Sequence, residues 1–242
     1  TKHPGLDIII PVYNEGSNIV RVMESLRKDV HTPFRVLICY DFDGDDTLTA
    51  LEGYDGVELI LVKNHRRGPH AAVLSGFQAS KAPAILVFPA DDDYNAGQLD
   101  VLAAKIFNGV DIACASRFIE GGSMVGCPWL KDRLVRLAAF TLHHFARLPT
   151  RDASNGFRCF SRRVIETIPV ESDQGFTYSI ELLVKAHRLG WRIEDVAVNW
   201  FERGELQGKS RFKVLTWLPA YLRWYFYAFA TTWLGHRHVA LR

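Results

Sequence analysis

The sequence predicts an α/β fold, a mostly parallel sheet with helices on both faces, and three observations carry that prediction. Short apolar runs alternate with segments of helical periodicity through the first half of the chain. Those runs are apolar at nearly every position, the pattern of strands covered on both faces. Three of them end in acid-bearing loops, and in such sheets ligands sit beyond the carboxyl ends of the strands.

Taken in order, residues 6–12 are the first strand, ending in Pro11 and Val12, followed by Tyr13-Asn14-Glu15. Gly16-Ser17 opens a helix whose apolar positions Ile19, Val22, Met23 and Leu26 share one face. Residues 34–40 are the second strand and run into Asp41, Asp43, Asp45 and Asp46. Residues 57–62 form a third strand, followed by His65-Arg66-Arg67-Gly68, and 69–80 a helix with Ala72, Leu74 and Phe77. Residues 84–88 are a fourth strand that breaks at Pro89 into Asp91-Asp92-Asp93. A helix over 96–107 and a fifth strand over 110–115 complete the alternation. Further on, a strand is expected at 157–160 and a helix at 176–189, with Glu181 facing either a bound sugar or water.

Composition sets bounds on function. The 242 residues suffice for one large domain or a domain with an appendage. With 48% hydrophobic and 23% charged residues the chain has the makings of a sizeable core. A net charge of +2 argues against a nucleic-acid footprint. Cys39, Cys114, Cys127 and Cys159 show no CxxC spacing, and Cys39 and Cys114 lie in apolar runs, which suits a reducing compartment. No signal peptide is expected at 6–12, a strand-length run that Pro11 interrupts.

Three adjacent carboxylates at a strand end repel one another and raise their own pKa values unless something offsets the charge. A hard divalent cation does so, taking carboxylate and diphosphate oxygens together. A solvated acidic turn or a helix N-cap is the plainer reading of the same residues. Glu15, Asp41 and Asp43, the carboxylates of the first two loops, suit hydrogen bonds to ribose hydroxyls and a base N–H. Arg66 and Arg67 either offset diphosphate charge or are solvated surface charge.

The ordered set Pro11-Val12-Tyr13-Asn14-Glu15, Asp41-Phe42-Asp43-Gly44-Asp45-Asp46-Thr47, the 91–93 acids, Ala115-Ser116-Arg117-Phe118, Asp152-Ala153-Ser154-Asn155-Gly156-Phe157-Arg158 and Arg203-Gly204-Glu205-Leu206-Gln207-Gly208-Lys209-Ser210 resembles the inverting GT-A glycosyltransferases of family 2. Its nearer likeness is to the branch that glycosylates dolichyl and other polyprenyl phosphates. The resemblance implies Mg2+ or Mn2+ on Asp91 and Asp93, with Asp91 the principal ligand and Asp93 chosen over Asp92 by spacing. It implies a nucleotide-diphosphate sugar at Pro11, Tyr13, Glu15, Asp41, Asp43, Arg67 and Asp92. It implies an acceptor phosphate near Arg117, Ser154, Arg158, Arg203, Lys209, Ser210 and Arg211. Asp152 is then a base or sugar-hydroxyl ligand, or else caps a turn. The catalytic set so implied is Asp91, Asp93, Asp152 and Arg117. Two departures stand out: Pro89 and Asp93 replace the branch's usual Asp and Gln, and one acid of the second loop has moved by a residue, to Asp43.

On this reading 1–212 is the catalytic domain, with a nucleotide-binding half (1–115) and an acceptor half (116–212), and 213–242 is an aromatic, basic tail. Pro219 and Arg223 interrupt the tail's apolar run, so it reads as helix in the membrane interface, at the cytoplasmic face, or as a core or dimer helix. Residues 129–147 read as a second amphipathic surface. The acceptor is a polyprenyl phosphate or a glycan hydroxyl. A nucleotide-sugar-binding protein without turnover is the competing class.

Overall fold

A computed structural model describes residues 5–201, 214–235, 239 and 241. Its main sheet has seven strands in the order β3-β2-β1-β4-β7-β5-β8. In its interior β1 (Leu6–Pro11) pairs in parallel with β2 (Phe34–Tyr40) on one side and with β4 (Ala84–Val87), the middle strand, on the other. Beyond β2 lies β3 (Leu59–Lys63), also parallel. Past β4 the direction changes. Strand β7 (Arg158–Ser161) runs antiparallel between β4 and β5 (Ile112–Ser116), and β8 (Ile193–Ala197) pairs in parallel with β5. Strands β7 and β8 come from beyond residue 115, so the two halves of the chain share one sheet. A parallel ribbon of β6 (Ser123–Val125) and β9 (Asn199–Phe201) lies apart from it.

Side chains alternate across the sheet, and each face has its own core. Ile8 and Ile10 pack with Val22, Met23 and Leu26 of α1 (Asn18–Asp29) and Leu99 and Leu102 of α4 (Gln98–Phe107). Ile9 and Leu37 pack with Val73 and Phe77 of α3 (Pro69–Ala79) and Tyr178 and Leu182 of α7 (Thr177–Arg188). Each such side chain taken fully from water contributes about 1.5–3 kcal/mol. Helix α3 comes close because Gly76 has no Cβ: one there would stand 2.6 Å from Ile9 Cγ2 and 3.0 Å from Cys39 Sγ.

Asp7 breaks the apolar run of β1 and is fully buried. It accepts from Arg35 Nε (2.6 Å), Ser80 Oγ (2.7 Å), Lys81 N (2.7 Å) and Ala82 N (3.0 Å), tying the end of α3 to the sheet margin away from the acidic loops. Burial pushes its carboxyl up, but the bonds from Arg35, Ser80, Ala82 and Lys81 outweigh that and hold it below its ordinary value. Cys39, Cys114 and Cys159 are buried, and none of the four cysteines is in a disulfide. Burial pushes the Cys39 thiol up to about 12.

The shorter elements α2 (Asp46–Ala50) and α6 (Arg162–Thr167) serve as connections. Helices α5 (Trp129–His144) and α8 (Val214–Trp233) lie against each other, Thr141 Oγ1 meeting Tyr225 Oη at 2.8 Å. Arg188 of α7 anchors α8 through Thr231 Oγ1 (2.7 Å) and the Ala228 carbonyl (2.8 Å). Only Ala139 and Leu142 of α5 are buried, whereas Trp129, Leu134, Leu137 and Phe140 are exposed, as are Leu222, Phe226 and Trp233 of α8. Among the described residues no helix is long and apolar enough to cross a membrane.

Candidate active site

The chain leaves β1 for β2 on one side and reaches β4 on the other, so a crevice opens beyond the carboxyl ends of β1 and β4. Three loops meet there. The first, after Pro11, turns through Asn14 and Gly16, both with positive φ (51° and 54°). For Asn14 that conformation carries a cost, and the second loop meets it with three bonds. Asn14 N donates to Asp45 Oδ1 (3.1 Å), Glu15 N to Thr47 Oγ1 (3.0 Å) and Gly16 N to Asp46 Oδ1 (2.8 Å). Asp45 also caps α2 through Thr47 N (2.9 Å). Thus Asp45, Asp46 and Thr47 fix the backbone that presents Tyr13 and half-buried Glu15. Tyr13 is exposed, edge-on to Phe42 with ring centroids 5.7 Å apart.

Asp41 reaches across to the third loop, accepting from Asn64 Nδ2 (2.7 Å) and Gly68 N (2.9 Å) at the start of α3. Arg67 stands exposed in that same loop. Asp43 lies further out, in an exposed ion pair with Lys63 at 2.5 Å, a contact worth little in high dielectric.

The three consecutive acids divide. Asp92 turns inward: it is buried and its Oδ1 accepts from Tyr94 N (3.2 Å) and Asn95 N (2.8 Å), its Oδ2 from Asn95 Nδ2 (2.7 Å). The expected nucleotide contact at Asp92 is therefore corrected, because both oxygens brace the turn. Burial pushes this carboxyl up to about 6, the Asn95 and Tyr94 bonds acting against it and the charge of Asp91 with it. Asp91 and Asp93 point the other way and line one shallow pocket with Asn18, Arg21 and Val22 of α1. Arg21 Nε stands 3.9 Å from Asp93 Oδ2. Among the described residues no group of three or more His, Cys, Asp or Glu is placed to hold a metal ion. Two outward carboxylates fit a hard cation that completes its shell with water and diphosphate oxygens, as Mg2+ does.

On the other side of β4, Arg117 and Asp152 form a bidentate pair. Asp152 Oδ2 accepts from Arg117 Nε (2.7 Å) and Arg117 N (3.0 Å), and Oδ1 from Arg117 Nη2 (2.9 Å). Ser154 Oγ accepts from Nη2 at 3.3 Å and donates to Oδ1 at 3.4 Å. Nη1 reaches Met124 Sδ of β6 at 3.6 Å. Burial lowers the Arg117 guanidinium, but the Asp152 charge and hydrogen bond raise it further, so it stays cationic. Asp152 is 0% exposed, which corrects its expected role as a base: it orients Arg117 and presents no free oxygen to a substrate.

Arg158 needs a similar correction. It is fully buried, and donates to the carbonyls of Ser179, Asp152 (3.1 Å) and Ala153 (2.7 Å), so it supports the 152–154 turn rather than an acceptor phosphate. Glu181 faces neither sugar nor water. It is buried, accepting from Glu171 N (2.7 Å), Ser172 N (2.8 Å) and Lys185 Nζ (2.6 Å). Arg203, Lys209, Ser210 and Arg211 lie outside the described residues. The sequence placed Asp45 in the acidic second loop without a role of its own and gave Asn95 none, although an Asx turn after Asp92 was a readable signal for Asn95.

Comparison with known proteins identifies the family and the fold. The profile of Glycosyl transferase family 2 matches residues 7–168, more than half of the chain. Polyprenol monophosphomannose synthase of Mycolicibacterium smegmatis is 26% identical over 231 residues, covering 87% of this chain and 85% of that protein. Dolichol-phosphate mannosyltransferase of Pyrococcus furiosus is 24% identical over 229 residues, covering 90% of this chain and 64% of its own length. Among solved structures, glucosyl-3-phosphoglycerate synthase of Mycobacterium tuberculosis, in complex with Mn2+, UDP and glucosyl-3-phosphoglycerate, superposes with a TM-score of 0.66. It is 18% identical and covers 95% of this chain and 80% of that one, a likeness of fold. With its GT-A sheet and family-wide match, the chain belongs to glycosyl transferase family 2 and is a glycosyltransferase.

Proposed function

We propose that the enzyme moves a sugar from a nucleotide-diphosphate sugar onto a polyprenyl phosphate, using Mg2+ or Mn2+, at the cytoplasmic face of a membrane. The observation that carries this reading is the division of the acidic turn, with Asp92 spent on the protein and Asp91 and Asp93 sharing a pocket beside the Tyr13 loop. Asp91 and Asp93 would hold the cation, which supplies charge stabilisation to the departing diphosphate when bound. Asp41 holds the 64–68 loop and Tyr13 offers its ring to the base.

The acceptor side favours a phosphate over a hydroxyl. A hydroxyl needs a general base within reach, and Asp152, the residue expected to be one, is locked onto Arg117. A phosphate oxygen is already anionic and needs a cation to hold it. Arg117 is such a cation: Asp152 holds its Nε and Nη2 from behind, and its Nη1 end faces the Met124 side. The names of the polyprenol and dolichol relatives point the same way. The exposed apolar faces of α5 and α8, flanked by exposed Arg133, Arg147 and Arg223, suit a helix pair lying in the headgroup region.

The test is release of nucleoside diphosphate from a panel of sugar nucleotides with Mn2+ or Mg2+, with and without a short-chain polyprenyl phosphate. Lipid-dependent release that Asp91→Asn abolishes supports the proposal. Release stimulated only by free sugars or glycans overturns the acceptor assignment.

A further inference from the structure

The donor turn and the acceptor side of the site are joined by two side chains, Asn95 and Tyr94. Asn95 is buried four residues beyond Asp91, and its amide pairs with the backbone of β9 as a strand's peptide group would. Its Nδ2 donates to the Asn199 carbonyl at 2.7 Å and its Oδ1 accepts from Asn199 N at 3.1 Å. The same Nδ2 donates to Asp92 Oδ2 at 2.7 Å. Next to it, Tyr94 Oη accepts from Phe201 N at 3.4 Å, and the two rings meet edge-on at 4.8 Å. Asn199 Oδ1 in turn accepts from Ser123 Oγ of β6 at 2.7 Å. On that β6 strand sits Met124, the sulfur partner of Arg117, and opposite it in register sits Trp200, with Lys131 of α5 5.0 Å over its ring.

We infer that Asn95, assisted by Tyr94, is a positioning residue that couples the nucleotide pocket to the acceptor side, so that filling one changes the affinity of the other. This rests on the function proposed above. The chemistry needed is demanding: the Asn95 amide donates from Nδ2 to both the Asn199 carbonyl and Asp92 while its Oδ1 accepts from Asn199 N. Were nucleotide binding to shift the 91–95 turn, Asn95 would carry β9 and β6 with it, and through Met124 the face of Arg117. Coupling of this kind is reciprocal and typically worth roughly 5- to 150-fold in affinity. A passive brace would hold the ribbon in place whether or not the nucleotide pocket was filled.

Amide hydrogen exchange separates the two, read on the whole chain with Mn2+ plus UDP and, in a parallel arm, Mn2+ plus GDP. The expected result is slowed exchange at 91–95 and also at 199–201, with the second effect lost in Asn95→Ala and the first retained. Tyr94→Phe, which keeps the ring contact, serves if Asn95→Ala fails to fold, and is expected to shrink the response at 199–201. In steady state, Asn95→Ala is expected to remove the dependence of the polyprenyl phosphate KM on nucleotide-sugar concentration. A response at 91–95 that leaves 199–201 unchanged in the wild type overturns the coupling alone. So does a response at 199–201 that survives both substitutions. No response at either segment with either nucleotide overturns the functional reading, and the coupling with it.

Discussion

Substituting Asp152→Asn tests whether this carboxylate orients Arg117 or acts on substrate. The structure gives Asp152 three bonds from Arg117, at 2.7, 2.9 and 3.0 Å, with its side chain 0% exposed and that of Arg117 12% exposed. Removing one member of a buried pair strands the other and costs about 3–5 kcal/mol. The slight exposure of Arg117 places this case near 3 kcal/mol, on the order of 6–12 °C in Tm for a chain of this size. Thermal and urea denaturation of Asp152→Asn, Arg117→Met and the double variant form the assay. The cycle should be non-additive, the double variant costing less than the sum by about 1–3 kcal/mol. Acceptor KM should rise in Asp152→Asn, since the Arg117 fork loses its backing. A Tm within 2 °C of the wild type, together with a large fall in kcat and a displaced pH profile, would instead mark Asp152 as a base and refute the reasoning.

Three further outcomes follow from the geometry. Asp7 has a folded-state pKa held below its ordinary value of 3.8, so its contribution is complete above that value and fades as pH falls through the folded one. Asp7→Asn should therefore flatten the acid limb of a stability–pH curve below about pH 4, while lowering stability at neutral pH by about 3–5 kcal/mol. Gly76→Ala should cost about 1–3 kcal/mol by urea denaturation, because its Cβ would stand 2.6 Å from Ile9 Cγ2; a neutral result would mean that α3 shifts freely. Leu134→Asp with Phe226→Asp should abolish flotation with anionic vesicles while leaving Tm near that of the wild type, and unchanged flotation would remove α5 and α8 from the membrane account.

Strands buried on both faces were the easiest part of the fold to read, because uninterrupted apolar runs have few other uses. The second strand matches its expected bounds, and the first, fourth and fifth differ only at their ends. Strand β8 was not anticipated: Ile193-Glu194-Asp195-Val196-Ala197 lies at a sheet edge, where polar residues interrupt the pattern. Strands β6 and β9, three residues each, are too short to carry a period. In the site, Asp91 and Asp93, spaced i and i+2, line one pocket. That Asp92 caps its own turn was legible, because its partners Tyr94 and Asn95 lie two and three residues on. Residue type could not show that Arg158 gives its charge to carbonyls, which depends on packing against Ser179 of α7.

The central claim is that the two outward acids of the 91–93 turn hold a divalent cation against the nucleotide's diphosphate. Anomalous diffraction from a crystal grown with Mn2+ and a nucleoside diphosphate tests it most directly. The account predicts a peak bonded to Asp91, with Asp93 beside it and diphosphate oxygens on its far side. A nucleotide seated by the Tyr13 loop with no metal at Asp91 or Asp93, or a metal bound elsewhere, would contradict it.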